Sequence, residues 1–423
     1  MKNSTQLNTY VSIPKDSDFT IHNLPYGVYS LENENVKKIG IAIGEHILDL
    51  QFCQNMDFLY DMDFNKTVCY ASNLNPLMAL GRIQNQAIRK KIQHILSEDF
   101  VEKSLVESYG LVLQKDAKMH LPTQIGDYTD FYSSIDHATN VGKMFRDPNN
   151  ALLPNWRHLP VAYHGRASSI YVSGTDFHRP KGQILSDDGK TLIFSATKAL
   201  DFELEIATVI GTSSKIGKPI NTSESEDYVF GFVLFNDWSA RDIQRWEYQP
   251  LGPFLGKNFF SSISPWVVTI DALEPFRVAS PAQNPPVLPY LQTEGLRNFD
   301  INLEIFIRPN GGEETKVCET NFKEMYWNVA QQIAHHTING CNLNTGDLLA
   351  SGTISGSKPN SYGSLLELSE NGKNPFLLSD GSERTFLEDN DTIIIKGWAE
   401  KNGIRVGFGE VKNTVLGFTA RTL

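Results

Sequence analysis

The sequence has few cysteines and no long apolar run. Its cysteines, Cys53, Cys69, Cys318 and Cys341, stand far apart in 423 residues and form no Cys-x-x-Cys pair. This spacing argues against a disulfide framework and against a cysteine zinc site, so we expect reduced thiols and a cytoplasmic protein. No apolar stretch is long enough to span a bilayer. Residues 1–6 lack the apolar core of a signal peptide.

Positive charge is also scarce. The chain has 38 Lys and Arg residues against 49 Asp and Glu residues, which gives a formal net charge of −11. An acidic balance argues against nucleic acid and anionic membranes as partners, but it leaves room for a small anionic substrate that responds to a local pocket. The content of 40% hydrophobic and 21% charged residues is that of a globular protein. The length allows two or three domains with a large core.

The first 120 residues combine short strands with helices. Strand signals separated by turns occur at residues 26–30, 39–44 and 46–50, which predicts a small β-barrel. Apolar residues then recur at helical spacing over residues 77–95, directly after Pro76. A second helix is predicted over residues 97–111, with Ser97 as its N-cap, and the sequence breaks at residues 120–122.

Strand patterns dominate the remainder of the chain. Apolar residues alternate over residues 299–307, and Asn310-Gly311-Gly312 supplies a hairpin turn. Further strands are predicted at residues 392–398 and 404–408. One helix is predicted over residues 323–337.

Two acidic residues share one face of a predicted strand. Residues 201–207 alternate polar and apolar, so Glu203 and Glu205 project to the same side, about 7 Å apart. Two carboxylates at that distance repel each other, and a cation usually lies between them. For an isolated Glu-x-Glu, a solvated strand face is the more common explanation.

Two further acidic residues lie in unusual settings. Asp130 stands among aromatic residues in residues 127–132, and Asp237 ends the apolar run of residues 229–236. Four carboxylates without clustered Cys or His ligands suit a hard cation, Mg²⁺ or Ca²⁺. We therefore expect Asp130, Glu203, Glu205 and Asp237 to form a metal site.

Residues 127–146 are dense in chemically active side chains. They include Tyr132, His137 and Arg146 in addition to Asp130. A histidine alone is more often a satisfied core residue, but in this company we expect His137 to act as a general base near neutral pH. Such a base needs a partner, usually a carboxylate, to fix its tautomer, and the residues alone leave many candidates.

Two more segments suit an anionic, oxygen-rich ligand. Arg241, Gln244 and Tyr248 fall on one face if residues 237–248 form a helix, although surface ion pairs are also a common explanation for such a helix. Residues 352–357 form a loop of small residues that can present hydroxyls and backbone N–H groups. That loop is a weak motif, since it is neither a P-loop nor a dinucleotide fingerprint.

These segments together resemble the fumarylacetoacetate hydrolase family. The resemblance covers nearly all of residues 121–420 and, more weakly, the N-terminal part. It rests on long matches at residues 127–146, 153–156, 163–169, 203–205, 236–257, 325–327 and 348–356.

The resemblance implies a mainly β (α+β) protein. An SH3-like small barrel with helices is expected over residues 1–121, and a catalytic β-roll domain over residues 122–423. A homodimer is also implied. The homodimer rests on the resemblance alone, since no pattern in the sequence indicates it.

The resemblance also implies roles for individual residues. It assigns the metal site, with Ca²⁺ and/or Mg²⁺, to Asp130, Glu203, Glu205 and Asp237. It makes His137 the catalytic base and Glu367 the acid that orients it, with Arg241 and Lys257 near the leaving fragment. Substrate contacts are expected from Tyr132, Arg146, Tyr163, Gln244, Tyr248 and Thr353. A second cation site is expected at Lys257 and Ser261.

Two positions depart from the family pattern. Ser261 stands where a threonine is expected in the second cation site, and it keeps the hydroxyl. Asp136, beside His137, replaces a longer Glu or Gln. It either points elsewhere or raises the pKa of the histidine.

The implied reaction is hydrolysis of a carbon–carbon bond in a β-diketo acid, 4-fumarylacetoacetate. The same metal set also suits an acylpyruvate hydrolase or an oxaloacetate-type decarboxylase. Carboxylates in this number would equally suit a non-catalytic protein that binds small acids, or a protein that uses metal only for stability. His137 and Glu367 together argue against simple binding, because binding needs neither.

Overall fold

The computed structural model describes residues 7–417, except Asn33 and Asn35. The prediction about a signal peptide concerns residues 1–6 and lies outside the described residues. The N-terminal part contains strands β1 (Tyr26–Leu31), β2 (Lys38–Ile43), β3 (His46–Asp49), β4 (Leu111–Leu113) and β5 (Ala117–His120). Its helices are α1 (Leu50–Asn55), α2 (Asn75–Met78), α3 (Arg82–Ile95) and α4 (Lys103–Leu105), followed by a π-helical turn, Val106–Gly110.

The N-terminal strands form one antiparallel sheet in the order β4-β3-β2-β1-β5. One face, with Val28 and Ile41, packs on the helices. The other face packs around the ring of Trp266, which comes from the C-terminal part and shares one apolar cluster with Tyr29, Ala42 and Ile47. A side chain at Gly27 would meet that ring, because a Cβ there would lie 2.6 Å from it. The prediction of a small N-terminal β domain is confirmed.

The helix predictions for this part were only partly right. The helix expected over residues 77–95 is broken between α2 and α3, where Gly81 has a φ of +87° and Ile83 is exposed. The helix expected over residues 97–111 was wrong in its start, since Ser97 caps no helix and instead donates its hydroxyl to the carbonyl of His94. Local contacts around the C-terminal end of α3 therefore override the helical pattern that follows.

The C-terminal part is built mainly from strands. These are β6 (Tyr128–Phe131), β7 (Ala162–His164), β8 (Ile170–Val172), β9 (Phe177–His178), β10 (Lys181–Leu185), β11 (Leu192–Ala196), β12 (Leu200–Asp201), β13 (Leu204–Ile210), β14 (Val229–Asn236), β15 (Ser239–Ala240), β16 (Ser261–Ile263), β17 (Val268–Thr269), β18 (Arg277–Val278), β19 (Asn298–Phe299), β20 (Asn302–Arg308), β21 (Thr315–Asn321), β22 (Leu348–Ala350), β23 (Phe376–Leu377), β24 (Glu383–Arg384), β25 (Thr392–Lys401) and β26 (Ile404–Leu416). The helices are α5 (Ile135–Phe145), α6 (Arg241–Glu247), α7 (Val329–Thr337) and α8 (Leu365–Leu368).

Short 3₁₀ turns connect many of these elements. They are Lys66–Tyr70, Gln114–Asp116, Pro148–Asn150, Ala167–Ser169, Ser225–Tyr228, Ile270–Phe276, Pro289–Leu291, Phe322–Glu324 and Pro359–Ser361. The helix predicted over residues 323–337 is shorter than expected. It begins only at Val329, where Asn328 and Gln331 form a capping box.

Two large sheets form the C-terminal part. The central sheet has the order β7-β6-β22-β13-β14-β16-β8, and a second sheet has the order β21-β20-β25-β26-β9. The predicted hairpin between β20 and β21 is confirmed, with Gly311 at a φ of +72°. A large apolar cluster, including Leu204, Phe232 and Ile305, lies between the two sheets.

The opposite face of the central sheet packs on the N-terminal part. Ala207, Val209 and Phe235 belong to the same apolar cluster as Val28 and Ile41. Since side chains alternate along a strand, this face is also the face of Glu205 and Asp237. The division at residues 121 and 122 stays a prediction. Among the described residues, no helix combines the length and hydropathy needed to span a membrane.

Candidate functional site

Four buried carboxylates meet at one end of the central sheet. Asp130 lies in β6 and Glu205 in β13, while Asp237 directly follows β14. Glu203 precedes β13 and forms an isolated bridge with Ser364, so the predicted strand over residues 201–207 is interrupted. One oxygen of each carboxylate lies within 4.8 Å of the others. We call these four residues the carboxylate cluster.

Strand pairing explains why they meet. Asp130 is paired with Ala350 of β22, and Ala350 is paired with Ala207 of β13. Glu205 lies two residues before Ala207 on the same face. It is paired with Phe235, two residues before Asp237. Because side chains alternate along a strand, this register places Asp130, Glu205 and Asp237 at the same end of one face of the sheet.

Two of the four carboxylates each keep an oxygen without a partner. The Oδ1 of Asp130 and the Oε1 of Glu205 are buried and accept no hydrogen bond within the described part of the chain. Burial, together with the charge of Asp237, raises the pKa of both groups well above the ordinary range. Unsatisfied buried oxygens of this kind fit a hard cation, which takes oxygen ligands. The cluster could therefore hold a metal ion.

The other two carboxylates are paired with buried cations. The Lys257 ammonium contacts Glu203 and lies 2.6 Å from Asp237 Oδ2. Arg241 Nη1 lies 2.7 Å from Glu203 Oε1. Burial alone would raise the pKa of Glu203, but the charges of Lys257 and Arg241 outweigh it and lower that pKa to about 2.

The predicted histidine and glutamate lie in direct contact. His137, in the first turn of α5, is hydrogen-bonded through Nδ1 to Glu367 Oε2 of α8 at 2.7 Å. Both side chains are buried. Burial opposes ionisation of Glu367, but its interaction with His137, including their hydrogen bond, lowers its pKa. This arrangement fixes the ring and can leave Nε2 as a proton acceptor.

Three predicted substrate residues lie on different sides of these groups. Tyr132 packs edge-on against His137, with ring centroids 5.2 Å apart. Tyr163, which is paired with Asp130 across the sheet, donates its hydroxyl to Asp237 Oδ2 at 3.0 Å. Tyr163 therefore lies directly beside the carboxylate cluster. Arg146 is exposed just after α5, and its Nε donates to the carbonyl of Ala151.

The remaining predicted residues are less uniformly placed. Gln244 accepts a long hydrogen bond of 3.5 Å from Arg241 Nη1, whereas Tyr248 is 46% exposed and receives a hydrogen bond from Gln249. Thr353 is buried next to Gly352, whose N–H donates to Glu205 Oε2 at 2.9 Å. Ser261 Oγ donates to Asp237 Oδ1 at 3.1 Å.

Asp136 lies apart from the His137 pair. It is partly buried, and no hydrogen bond joins its side chain to His137, both of which are described residues. Burial raises its pKa, and the charges of Glu324 and Glu367 add to the rise.

Several residues of the site were missed by the sequence analysis. Asp201 accepts from Arg241 Nε at 2.8 Å and also from the backbone N–H groups of Leu365 and Leu366, which joins α6 to the start of α8. Asn140, Ser355 and Ser364 all donate to Glu367. The alternation at residues 201–205 could have indicated Asp201, but no spacing links the other three residues.

Comparison with known proteins bears on the same regions. A model of the fumarylacetoacetate hydrolase C-terminal domain matches residues 128–416, and a model of the fumarylacetoacetase N-terminal domain matches residues 22–122. The chain belongs to the fumarylacetoacetate hydrolase family. The family's C-terminal match contains the whole carboxylate cluster and the His137–Glu367 pair.

Individual relatives in the family match over nearly their full length. The chain is 49% identical to a fumarylacetoacetase from Homo sapiens over 412 residues, covering 96% of this chain and 98% of that one. It is 51% identical to the fumarylacetoacetase from Caenorhabditis elegans, with coverages of 97% and 99%. The enzyme from Arabidopsis thaliana is 46% identical over 415 residues, with coverages of 97% and 98%.

Solved structures support the fold. A fumarylacetoacetate hydrolase from the psychrophile Exiguobacterium antarcticum superposes with a TM-score of 0.53 at 18% identity, covering 93% of this chain and all of that one. A maleylpyruvate hydrolase from Sphingobium has a TM-score of 0.50 at 12% identity, with the same coverages. At such low identity these likenesses establish the fold alone.

Proposed function

We propose that the chain hydrolyses 4-fumarylacetoacetate to fumarate and acetoacetate, the last step of tyrosine and phenylalanine breakdown. The observation that carries this proposal is the buried His137–Glu367 pair beside the carboxylate cluster. Near-full-length identity to fumarylacetoacetases supports this choice of substrate.

The proposed metal is Ca²⁺ or Mg²⁺, held by Asp130, Glu203, Glu205 and Asp237. Carboxylate oxygens are the ligands that both ions prefer, and the unsatisfied oxygens of Asp130 and Glu205 support this choice. When bound, such an ion acts as a Lewis acid toward the oxygens of the diketone. Lys257 and Ser261 both contact Asp237, and they are the residues proposed for a second cation site.

His137 is the proposed general base. Its Nδ1–H is donated to Glu367, so Nε2 can take a proton from water. The water oxygen bonds to the ketone carbon of the fumaryl group, and the bond from that carbon to the methylene between the two ketones breaks. The electron pair stays on the methylene carbon, which takes up the proton that His137 removed from water and becomes the methyl group of acetoacetate. The attacked carbon becomes a carboxylate of fumarate.

Arg241, Lys257 and Gln244 are proposed to stabilise the negative oxygen formed in that attack. The two cations are buried, so their charges are weakly screened. Their salt bridges with Glu203 keep both groups directed at the carboxylate cluster. The same salt bridges hold Glu203 ionised.

Tyr132, Arg146, Tyr163, Tyr248 and Thr353 are proposed to bind the substrate. Tyr132 packs against His137, and burial, together with the charges of Glu367 and Glu203, raises its pKa, so that its hydroxyl stays protonated. An arginine can bind a terminal carboxylate through two parallel hydrogen bonds. We assign Arg146 to this role.

We also propose a homodimer. Leu185, Leu192 and Phe194 project from the outer face of the β10–β11 hairpin and are exposed. Trp246, also exposed, donates to Gln183 on the same face at 3.2 Å. A contiguous apolar surface of this kind is typical of an interface. Sedimentation should find a species of twice the chain mass, and a monomer at micromolar concentration would contradict the proposal.

The proposed location is a reducing cytoplasm. All four cysteines lie within the described residues, and all are free thiols. Cys53, Cys69 and Cys318 are buried. Free, widely spaced thiols are typical of reducing compartments.

The first test follows the absorbance of 4-fumarylacetoacetate after addition of purified protein with Mg²⁺ or Ca²⁺, and then with chelator. Rapid, metal-dependent loss that yields fumarate and acetoacetate is the expected result. No loss with metal bound would mean a different substrate.

An acylpyruvate hydrolase is the second candidate, since the carboxylate cluster and the His137–Glu367 pair suit it equally. Screening acylpyruvates and oxaloacetate separates the remaining candidates, since release of CO₂ marks a decarboxylase. Chelation that lowers the melting temperature without any detectable activity would indicate a purely structural metal.

A further inference from the structure

Glu367 receives an unusually complete set of hydrogen bonds for a fully buried carboxylate. Its Oε2 accepts from His137 Nδ1 at 2.7 Å, from Ser355 Oγ at 2.9 Å and from Ser364 Oγ at 2.8 Å. Its Oε1 accepts from Asn140 Nδ2 at 2.9 Å. We call Asn140, Ser355 and Ser364 the carboxylate cradle.

The backbone determines the direction in which the two serine hydroxyls donate. Ser355 Oγ accepts the N–H of Gly363 at 3.0 Å, and Ser364 Oγ accepts the N–H of Glu367 at 3.3 Å. A hydroxyl that accepts from an N–H directs its own proton elsewhere, and Glu367 Oε2 is the acceptor within reach. Both serines therefore act as donors to Glu367.

This geometry favours an ionised Glu367. A protonated carboxyl would have to donate a hydrogen bond, but its surroundings offer donors. Burial works against ionisation, yet the contacts with His137, Asn140 and Ser364 prevail and lower the pKa. The other titratable groups whose charges act with Glu367 are Tyr132, Asp136, Cys318 and Tyr362.

We propose that Asn140, Ser355 and Ser364 are positioning residues for catalysis. They hold Glu367 as a fixed, ionised acceptor, which compels His137 to present Nδ1–H to it and to keep Nε2 free for the proton of water. This inference rests on the proposed function. Ser364 borders the carboxylate cluster through its backbone bridge with Glu203, but the side chains of the three residues are hydrogen-bonded to Glu367 and not to a carboxylate of the cluster.

The test compares Ser355→Ala and Ser364→Ala with Ser369→Ala. Ser369 is a matched control, because it is buried beside α8 and its hydroxyl also accepts a backbone N–H, but that hydroxyl donates to the carbonyl of Leu365 and is not hydrogen-bonded to the carboxylate of Glu367. Asn140→Ala provides a third variant on the partly exposed side of the cradle, where the fold is less affected.

One readout is independent of turnover. Nitrogen-15 NMR of histidine-labelled protein reports which ring nitrogen of His137 carries the proton, and the His137→Asn variant identifies the signal. We expect a protonated Nδ1 and a bare Nε2 in the parent protein and in Ser369→Ala. In the two cradle serine variants we expect a mixture of tautomers or a weakened Nδ1–H···Glu367 hydrogen bond.

Activity provides the second readout. Each cradle variant should lose about tenfold in kcat with little change in KM, because one charge-assisted hydrogen bond to Glu367 is lost. For the same reason, the acidic limb of its kcat–pH profile should move up by about one pH unit. The proposal would be overturned if the cradle variants gave the same His137 NMR signals, the same kcat and the same pH profile as Ser369→Ala. If the parent protein fails to hydrolyse fumarylacetoacetate, the proposed function fails, and the NMR comparison still decides whether the cradle fixes the tautomer.

Discussion

Replacing Lys257 by methionine tests how the buried charges of the site are balanced. The Lys257 ammonium is buried and contacts both Glu203 and Asp237. Methionine keeps the length and apolar stem of the side chain but removes the charge. In chelator, the variant leaves the carboxylate cluster with Arg241 as its one directly bound cation among the described residues.

The expected loss follows from the contacts that remain. Glu203 keeps its 2.7 Å salt bridge with Arg241, and Asp237 keeps hydrogen bonds from Tyr163 and Ser261. Breaking a buried ion pair by removing one partner costs about 3–5 kcal/mol, and the retained contacts place this case at about 3 kcal/mol. Unfolding entropy of about 2.1 cal/mol/K per residue then gives a fall in Tm of about 3 °C for a cooperative unit of 423 residues.

Scanning calorimetry in chelator measures this fall. Lys316→Met is a matched control, since Lys316 also bridges two carboxylates, Glu304 at 3.0 Å and Glu319 at 2.7 Å, but at the surface. Exposed ion pairs contribute little, so its Tm should barely change. Adding Ca²⁺ should then raise the Tm of Lys257→Met more than that of the parent protein, because the cation replaces the missing charge.

An unchanged Tm for Lys257→Met in chelator would refute this reasoning. It would mean that protons, and not Lys257, neutralise the carboxylates. An equal fall for Lys316→Met would likewise remove burial as the cause.

Three further predictions concern the base, the acid limb of stability and the N-terminal part. His137→Asn should lower kcat by about 10²- to 10⁴-fold while Ca²⁺ binding by calorimetry stays intact, and near-normal turnover would contradict the role of the base. Because the pKa of Glu367 is lowered in the folded state, its ionised form stabilises the protein above the ordinary pKa. That stability is lost as pH falls through the lowered pKa. The difference in free energy of unfolding between the parent and Glu367→Gln should therefore shrink toward acid pH, and a difference that is constant with pH would contradict this role of Glu367. Trp266→Ala should lower the free energy of unfolding in denaturant by about 3–5 kcal/mol, because the buried ring packs against one face of the N-terminal sheet. A loss below about 1 kcal/mol would show that this contact is dispensable.

The carboxylate cluster was predictable because its geometry is encoded by strand alternation. Glu203 and Glu205 were assigned to one face from their spacing, and Asp237 from its position at the end of an apolar run. What alternation cannot specify is which strands are neighbours. The pairing of β6 with β22 and of β22 with β13 joins residues 139 to 220 positions apart, and only the structure shows it.

Helix ends were less predictable, because short-range contacts decide them. Gly81 interrupts the apolar periodicity of residues 77–95 with a positive φ, which glycine tolerates and most residues do not. Ser97 looks like an N-cap in sequence, yet its hydroxyl is already bonded to the end of the preceding helix. A cap residue can serve either the helix before it or the one after it, and the sequence does not distinguish them.

The cradle was missed for a different reason. Ser355 was noted only as part of a loop of small residues that could contact a ligand, but its hydroxyl points to Glu367. Asn140, Ser355 and Ser364 lie on α5, on a loop and before α8, so no local spacing relates them. Groups that act through another residue leave no motif of their own.

The division of charge within the carboxylate cluster argues for a cation and against a purely structural polar core. In a structural core, each buried carboxylate would be paired, as Glu203 and Asp237 are with Lys257. Asp130 and Glu205 instead each keep an oxygen without a donor among the described residues. Leaving charged oxygens unpaired costs several kcal/mol, so this arrangement requires protons or a cation to neutralise them. A divalent cation neutralises both and can also polarise a substrate carbonyl, so the oxygens that weaken the fold in its absence are the ones that the proposed chemistry needs.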